Sequence, residues 1–474
     1  MPTAVVLGGG VSGLATAFYL QKYGASKFSK IILLEATDRF GGWIKSKRHP
    51  DGAIFECGPR SLRPVGSQGK NTLKLLSELQ LEKDILPLCR TDPAAKNRYL
   101  FVNKQLHALP NSLQGLVKRQ PFMSHAFIWT LLTENWKTKS PLEDESIHSY
   151  FSRRLNQEMA DVLIDSICRG IYAGDCRKLS IKSCFPDLFN AEKQYGSLTR
   201  FVLLKPKATT QVDDALIKKC LEEKWTSYSF KNGMQQLTDA LTETCNANKV
   251  DLRSNSSVKS ITFLDNGKIN IKCDNDEIKA DAVFSAIFSK DLGKLLQIDT
   301  LKNNLNSIPA VSCAVINLEY EGKLLPVEGF GHLSPSSENG PVLGMIYDSC
   351  SFPQHDRTDV TPSTRLTVML GGAWSDSIQN IGQWISQTDL MSMVTEAVNQ
   401  QLQIACHPIR SQISLLNDCI PQYHVGHSNI ISNLNTYISK RQLPLYLIGS
   451  SYQGVSVNDC ILNAKLAVEN FLLN

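Results

Sequence analysis

The sequence lacks the long apolar runs that mark transmembrane helices. Crossing a bilayer takes about 18 to 20 consecutive apolar residues, and the nearest candidate, HAFIWTLLTENW (125–136), is shorter and interrupted by polar residues. We also expect no presequence, because the first strand-like run, TAVVLG, begins at Thr3. We therefore expect a protein that rests on a membrane at most, with any targeting information inside the fold.

The cysteines and histidines show no disulfide or metal pattern. The 13 cysteines are odd in number and scattered, and no C-x-x-C pair occurs among them. This favours free buried thiols over a disulfide framework or a structural zinc site. Only His424 and His427 of the nine histidines lie close together, without an evident cysteine or carboxylate partner. We expect no metal.

The charge balance argues against a nucleic-acid partner. Lysine and arginine (50) exceed aspartate and glutamate (45) only slightly, giving a formal net charge of +5. So small an excess is compatible with an acidic ligand but does not indicate nucleic acid. The 42% hydrophobic and 20% charged composition is that of a globular protein large enough for two or three domains.

The chain opens with the pattern of a βαβ unit. A buried strand over residues 4–7 is followed by a glycine turn, an amphipathic helix to about Tyr23, and a second strand over 31–34. Glu35 ends that second strand, where it is placed to accept hydrogen bonds from both hydroxyls of an adenosine ribose. This favours an unphosphorylated ribose over that of NADP.

The glycine spacing in this unit predicts dinucleotide binding. Gly8 allows the tight turn, Gly10 lets the backbone approach a pyrophosphate, and Gly13 lets the helix pack on the strand. The segment after the ribose acid, ATDRFGGW, adds Arg39 and Gly42. It resembles the FAD signature of glutathione-reductase-like and amine-oxidase-like flavoproteins, in which such residues line the diphosphate and the flavin.

The rest of the chain alternates between helical and strand-like regions. Helical periodicity dominates residues 112–248, apart from the segment 205–214, which we expect to be a loop. Aromatic and basic residues at 122–136 are equally compatible with a bilayer surface and with core packing. The other expected elements are a hairpin at 97–110, short strands over 250–288, a second sheet after them, a helix near 387–404, and strands at 411–417 and 443–448.

We predict an α/β fold: a Rossmann-like FAD-binding domain of glutathione-reductase or amine-oxidase type, a mixed-sheet substrate domain and a helical membrane-associating insertion. The predicted limits are 1–90, 228–290 and 440–474 for the discontinuous FAD-binding domain, 91–227 for the mainly helical, membrane-associating and substrate-lining domain, and 291–439 for the substrate-binding domain with the mixed sheet.

A series of internal motifs is more specific than the FAD signature. In order they are VVLGGGVSGLATAFYL, RFGGWIKS, GAIFECGPRSLRP, DSICRGIYAGDCRKLSIKSCFPDLF, GFGHLSPSSE, VMLGGAW, CIPQYHVGH and GSSYQGVSVNDCI. Over essentially the whole chain they resemble the animal-type protoporphyrinogen oxidase family. One departure is Ser428, where that family has an aromatic residue after the Gly-His pair, which puts any contact at this position in doubt.

The resemblance implies an oxygen-dependent, six-electron oxidation of protoporphyrinogen IX to protoporphyrin IX in haem biosynthesis. Hydride passes to N5 of one non-covalent FAD per chain, and O2 reoxidises the flavin to give H2O2. Because the flavin carries the chemistry, no side-chain acid or base is required. The resemblance also implies a homodimer, peripheral on the intermembrane-space side of the mitochondrial inner membrane, that hands its product to ferrochelatase.

The family's substrate residues can be placed on this sequence. A porphyrinogen is a broad apolar disc with two propionates, so apolar walls and an arginine suit it. The matching positions are Arg98 for a propionate, Ile167, Phe330, Leu333 and Met369 for the walls, Gly170 for backbone close to the flavin, and Arg60 and Arg169 for positioning.

The family's FAD contacts match a second set of positions. They are Gly8, Gly9, Gly10, Val11, Ser12, Gly13, Glu35, Ala36, Arg39, Gly42, Trp43, Gly58, Pro59, Arg60, Ser61, Val258, Gly454, Val455, Ser456 and Val457. Asn458 or Asp459 is the expected N-cap of the closing helix, whose N-terminus would point at the pyrimidine side of the flavin.

Other readings stay open. Other flavin oxidases of this fold include coproporphyrinogen oxidase of bacterial type, amine oxidases and carotenoid desaturases. The chain has no SGGCY-like covalent flavin site and no convincing aromatic cage, which argues against an amine oxidase. A non-enzymatic escort protein that keeps the fold without flavin is the alternative from another class, and a visible spectrum separates the two.

Overall fold

A computed structural model describes residues 2–204, 214–274, 276–338, 340–358, 361–374 and 386–473. The segment 205–214, predicted to be a loop, lies outside these residues except for Asp214. The strands are β1 (Thr3–Leu7), β2 (Lys30–Leu34), β3 (Ser46–Arg48), β4 (Ile54–Glu56), β5 (Ile85–Cys89), β6 (Tyr99–Val102), β7 (Gln105–Ala108), β8 (Trp225–Phe230), β9 (Asp251–Arg253), β10 (Val258–Phe263), β11 (Ile269–Cys273), β12 (Glu277–Ala280), β13 (Ala282–Ser285), β14 (Ala310–Glu321), β15 (Gly331–Leu333), β16 (Val342–Ile346), β17 (Ser363–Gly371), β18 (Arg410–Pro421) and β19 (Leu445–Leu447).

The helices fill the intervals between these strands. They are α1 (Val11–Gly24), α2 (Gly66–Glu78), α3 (Pro93–Lys96), α4 (Leu113–Val117), α5 (Phe127–Glu134), α6 (Ile147–Arg154), α7 (Gln157–Met159), α8 (Asp165–Tyr172), α9 (Ile181–Cys184), α10 (Pro186–Tyr195), α11 (Leu198–Leu204), α12 (Ala215–Glu222), α13 (Gln235–Ala247), α14 (Ser289–Leu295), α15 (Asp299–Asn306), α16 (Asp348–Ser351), α17 (Gln387–Leu402), α18 (His427–Lys440) and α19 (Val457–Leu473). A π-helical stretch over Ala160–Ile164 joins α7 to α8.

Five parallel strands form the first sheet, in the order β19-β13-β1-β2-β9. Both faces are covered, as parallel sheets require. Ala4 and Val6 of β1 pack with α1, α13 and α19, whereas Val5 and Leu7 pack with the antiparallel sheet β10-β11-β12 and with α15. This arrangement confirms the predicted Rossmann-like α/β fold.

The second large sheet has seven strands in the order β18-β14-β17-β16-β15-β6-β7. Its pairs are antiparallel except for β15 and β6, so the sheet is mixed as predicted. One face carries Ile316, Met345 and Val368, which are buried against Leu390 and Val394 of α17. The opposite face carries Leu100 and Val102, which pack with the helices of residues 113–204.

A buried ion pair holds the helices of residues 113–204 together. Glu134, at the end of α5, pairs with Arg154 of α6, and both side chains are fully buried. The same carboxylate accepts hydrogen bonds from Ser197 Oγ (2.6 Å) and from the backbone N–H groups of Leu198 (2.9 Å) and Thr199 (3.1 Å), which begin α11. One carboxylate thus fixes three helices.

In the described ranges no helix combines the length and apolarity needed to cross a bilayer.

The structure corrects several predicted details. The strand expected at 411–417 is β18 and runs over Arg410–Pro421, because it pairs along the length of β14. β8 lies inside the stretch expected to be helical, where it pairs with β5. The hairpin at 97–110 is confirmed as β6 and β7, and it joins the seven-stranded sheet through β15.

The predicted cap of the closing helix was wrong. α19 begins at Val457, and Ser456 Oγ accepts a hydrogen bond from the N–H of Asp459 at 3.2 Å, while Asp459 Oδ2 accepts from the N–H of Ser456 at 3.3 Å. This reciprocal arrangement is a capping box, so Ser456 is the N-cap. Asn458 instead donates to the carbonyl oxygen of Arg63 at 2.7 Å.

Candidate functional site

The glycine turn after β1 forms a backbone cradle at the N-terminus of α1. A Cβ on Gly13 would overlap the carbonyl oxygen of Gly8, so this helix packs on the turn at backbone distance. A Cβ on Gly10 would meet only the Cα of Gly42, at 3.8 Å, and otherwise point into open space. No side chain caps α1 and no acid occupies its first turn, which contains Val11 and Ser12. An anion can therefore approach the free N–H groups.

Glu35 is held at the edge of this cradle. Its Oε2 accepts a hydrogen bond from the N–H of Gly9 at 2.7 Å, and its Oε1 accepts from the N–H and hydroxyl of Thr37, both at 2.8 Å. Three of the roughly four lone-pair positions of this carboxylate are thus occupied, and one on Oε2 stays open for a ligand hydroxyl. Val258 opens β10 nearby, since the N–H of Ser256 donates to the Glu35 carbonyl at 2.8 Å.

The loop after Glu35 is braced by its own arginine. Arg39 donates to the carbonyl oxygens of Phe40 (2.8 Å), Gly42 and Ile44 (3.2 Å), so its guanidinium organises the loop backbone. This brings Gly42 against Gly10. Ala36 and Trp43 of the same loop are exposed.

Two further loops complete the wall around the cradle. A Cβ on Gly58 would overlap the carbonyl oxygen of Trp43, so the 58–61 loop, with Pro59 and Ser61 half-buried, lies on the 36–43 loop. The C-terminal loop approaches from the other side, since a Cβ on Gly449 would lie 3.6 Å from Ser12 Oγ. It continues through Gly454, Val455 and Ser456 into Val457, so the two ends of the chain meet at one site.

The face of the seven-stranded sheet that is turned away from α17 carries an apolar row. Leu333, Gly344 and Met369 are partners in register across β15, β16 and β17, so they share one face. A Cβ on Gly170 of α8 would lie 2.6 Å from Leu333 Cδ2, which places the helix backbone on this row. Ile167 lies one turn earlier on the same helix face. Three of the predicted substrate residues, Ile167, Leu333 and Met369, thus lie together with Gly170.

Arg98 and Phe330, two further predicted substrate residues, lie in contact with each other. The guanidinium of Arg98 is centred 5.0 Å from the ring of Phe330, and Phe330 reaches it because its N–H donates to the Asn97 carbonyl at 3.1 Å. Burial, together with the nearby charge of Arg63, lowers the pKa of Arg98 from its usual value. Within the described residues Arg98 has no acidic partner, so a ligand carboxylate would be its natural counter-charge.

Arg169 is placed to support the site. Its guanidinium is 4.4 Å from the ring of Trp374 and donates to the carbonyl oxygens of Gly340 (3.2 Å) and Val342 (3.0 Å). It is 2% exposed, and burial lowers its pKa although Asp165 acts in the opposite direction. These bonds fix the start of β16, the strand that carries Gly344.

The sequence did not reveal two features of this region. Ile171 is 46% exposed and lies four residues after Ile167, one turn further along the same face of α8. Helical spacing could have identified it. Asp348 pairs with Arg60 at 3.0 Å, and no local motif signals this contact because 288 residues separate the two.

Across the described ranges no three His, Cys, Asp or Glu side chains are grouped so that they could hold a metal ion.

Comparison with known proteins identifies the family. The model of the family "flavin containing amine oxidoreductase" matches residues 11–472. The chain belongs to this family. It is 42% identical to human protoporphyrinogen oxidase, with 99% of this chain and 98% of that protein covered. It is 31% identical to protoporphyrinogen oxidase of Schizosaccharomyces pombe, over 97% and 96% of the two chains. These findings confirm the predicted relationship and FAD as the cofactor.

A solved structure shows the same fold. The putative protoporphyrinogen oxidase of Exiguobacterium sp. 255-15 superposes on this flavin amine oxidoreductase with a TM-score of 0.80, at 22% identity, over 100% of this chain and 99% of that one. The residues of the cradle fit the cofactor of the family: an uncapped helix N-terminus and the open side of Gly10 suit a diphosphate, and Glu35 suits a ribose.

Replacing Gly10 with valine tests the cradle. Because a Cβ here meets only Gly42 at 3.8 Å and the backbone is extended, the protein should fold while the side chain excludes the diphosphate. We expect a soluble protein with an unchanged far-ultraviolet circular dichroism spectrum and no visible flavin absorbance. Gly13→Ala is the contrasting variant, since its Cβ overlaps the Gly8 carbonyl oxygen and should destabilise the fold itself. Full flavin content in Gly10→Val would contradict this assignment.

Proposed function

We propose that this protein oxidises protoporphyrinogen IX to protoporphyrin IX, with O2 as the final acceptor and H2O2 as co-product. The observation that carries the proposal is the apolar row of Leu333, Gly344 and Met369 together with Arg98, a cation without an acidic partner in the described residues; these four residues would line the substrate slot. An apolar disc with carboxylates at its edge suits such a slot. The names of the relatives described above support the same substrate.

The protein residues would bind and orient, while bound FAD supplies the hydride acceptor. Arg98 would pair with a propionate, and Phe330, under its guanidinium, would fix the direction of that side chain. Leu333 and Met369 would exclude water from the faces of the macrocycle. The bare backbone at Gly170 would allow the reacting edge to come close to the flavin.

The domain assignment forms part of the proposal. The stretches 1–90, 228–290 and 440–474 would bind FAD, and this is supported because each contributes strands to the five-stranded parallel sheet. The stretches 91–227 and 291–439 would enclose the substrate. They are joined in the seven-stranded sheet, where β6 of the first pairs with β15 of the second.

A substrate comparison tests the reaction. The purified yellow protein should consume oxygen and release fluorescent porphyrin with protoporphyrinogen IX, and it should be much slower with coproporphyrinogen III, which carries two more carboxylates. Oxygen uptake measures the consumption of the electron acceptor, and porphyrin fluorescence measures the formation of the product. A preference for coproporphyrinogen would replace the proposed substrate, and a colourless protein without oxygen uptake would favour the escort reading.

Replacing Arg98 with alanine tests the propionate anchor. Hydrogen bonds to charged groups contribute about 1.5–3 kcal/mol, so KM for protoporphyrinogen should rise about ten- to a hundredfold. FAD content should be unchanged. Arg90→Ala is the control, because Arg90 is an exposed arginine close by in the chain but outside the slot. A KM equal to that of the unmodified protein would rule out this role of Arg98.

We also propose that α5 and α11 rest on the mitochondrial inner membrane, on its intermembrane-space side. Exposed apolar side chains lie on both helices and at Trp136, just after α5: Trp129 (62% exposed), Leu132 (51%), Trp136 (78%), Val202 (76%), Leu203 (77%) and Leu204 (62%). Contiguous apolar surface of this kind marks an interaction site. Family resemblance supports the location, a homodimer and the handover of product to ferrochelatase.

The triple variant Trp129→Ser, Val202→Ser and Leu203→Ser tests the membrane surface. Removing these side chains should weaken binding to phosphatidylcholine–cardiolipin vesicles at least about tenfold, since a tenfold change takes only 1.4 kcal/mol of lost apolar burial. Activity in detergent should be retained. Leu221→Ser, at a leucine of α12 that is 58% exposed, is the control. Undiminished sedimentation of the triple variant with vesicles would exclude this surface.

A further inference from the structure

Two cysteines meet at a bulge between the long strands β14 and β18. The register shifts there because three residues of β18, 417–419, oppose Ser312 alone. Such a bulge bends the strand and re-aims its side chains. The sulfur of Cys419 therefore reaches over β14 and lies 3.6 Å from the carbonyl oxygen of Val311. Beside it is the thiol of Cys313, which donates a hydrogen bond to the Cys419 sulfur.

The two thiols differ in exposure and in acidity. Every one of the 13 cysteines is a free thiol. Cys313 is 6% exposed, whereas Cys419 is only half-buried, so a small solute can reach Cys419 directly. The bond from Cys313 lowers the pKa of Cys419, although burial acts in the opposite direction, and the same bond together with burial raises the pKa of Cys313. Because the thiolate is the reactive form, Cys419 is the nucleophile of the pair.

The pair lies at the end of the apolar row. Cys313 is the register partner of Gly371 on β17, and Gly371 lies two residues after Met369. Residues two apart on a strand share a face, so the Cys313 side chain is on the face of the row, about 7 Å from Met369 along the sheet. Both cysteines belong to one packed cluster with Met369 and Trp374. An oxidant at this end of the row would therefore meet a thiol as well as the sulfur of Met369.

The strand geometry allows a bond between the two sulfurs. Neighbouring strands lie about 4.7–4.9 Å apart, and disulfides join Cα atoms that are about 4.4–6.8 Å apart. β18 is the edge strand of the seven-stranded sheet, so it can move a short distance toward β14 without displacing another strand. Closing the bond therefore requires only a local adjustment at the bulge.

We propose that Cys313 and Cys419 are a modification site for hydrogen peroxide, at which the two thiols are oxidised to a disulfide. The peroxide is the co-product of flavin reoxidation, and for this source alone the inference rests on the proposed function. The Cys419 thiolate attacks one peroxide oxygen, the O–O bond breaks, and a sulfenic acid and hydroxide form.

The second step closes the bond. The Cys313 sulfur attacks the sulfur of the Cys419 sulfenic acid, the S–O bond breaks and the S–S bond forms. Each hydroxide leaves as water with one of the two thiol protons. Two thiols and one H2O2 therefore give one disulfide and two molecules of water, so the sulfurs are oxidised and the peroxide is reduced.

Added H2O2 tests the site on the FAD-loaded protein without any porphyrinogen. A small excess of peroxide should remove two of the 13 thiols that a maleimide labels after denaturation, lower the intact mass by two hydrogen atoms, and give a linked pair of peptides that contain Cys313 and Cys419. Dithiothreitol should restore both thiols. The Cys313→Ala variant should stop at the sulfenic acid, which dimedone traps on Cys419, and Cys419→Ser should lose the reaction completely. The linked peptides are sought in the unmodified protein, so the test does not depend on how either variant folds.

Cys176→Ala is the matched control, because it removes a different buried thiol and the variant should still lose two thiols to peroxide. Cys176 is 0% exposed, its Sγ donates to Asp165 Oδ1 at 3.3 Å, and burial raises its pKa. Retention of all thiols, or oxidation confined to the exposed Cys406, would overturn the proposal. Because the peroxide is added, a wrong substrate assignment would leave these results unchanged.

Discussion

The pairing of β1 on both of its edges is the constraint on which the rest of the structure depends. On one edge lies β2, which follows it in the chain, and on the other lies β13. The N–H of Thr3 also donates to Asp281, just before β13, and these two residues are 278 positions apart in the sequence. β19 then adds to β13. This parallel order puts the carboxyl ends of distant strands at one edge, where a ligand binds.

Local patterns gave reliable predictions because their physical cause is local. The glycines of the first turn, Glu35 and the alternation of strand and helix act within about thirty residues, and the structure confirms the fold they imply. The closing helix shows the limit. Asn458 and Asp459 both had the right chemistry for a cap, but the reciprocal bonds between Ser456 and Asp459 decide its start.

Contacts between distant segments could not be read from the sequence in the same way. The apolar row depends on the register of three strands, and the pairing of Arg60 with Asp348 depends on where β16 ends relative to the 58–61 loop. Leu333 and Met369 were placed through family resemblance, because each alone is indistinguishable from an ordinary core residue. Neither a local motif nor the family resemblance indicated Asp348, the carboxylate that pairs with Arg60.

Gly344, in the middle of the apolar row, limits which positions of the row can accept a different side chain. A side chain at Gly344 would run into Leu333, with its Cβ 2.9 Å from Cδ2, and would also meet the backbone of the neighbouring strand. The centre of the row is therefore closed to variation. Variation within the row is confined to its two ends, Leu333 and Met369, which lie on separate strands.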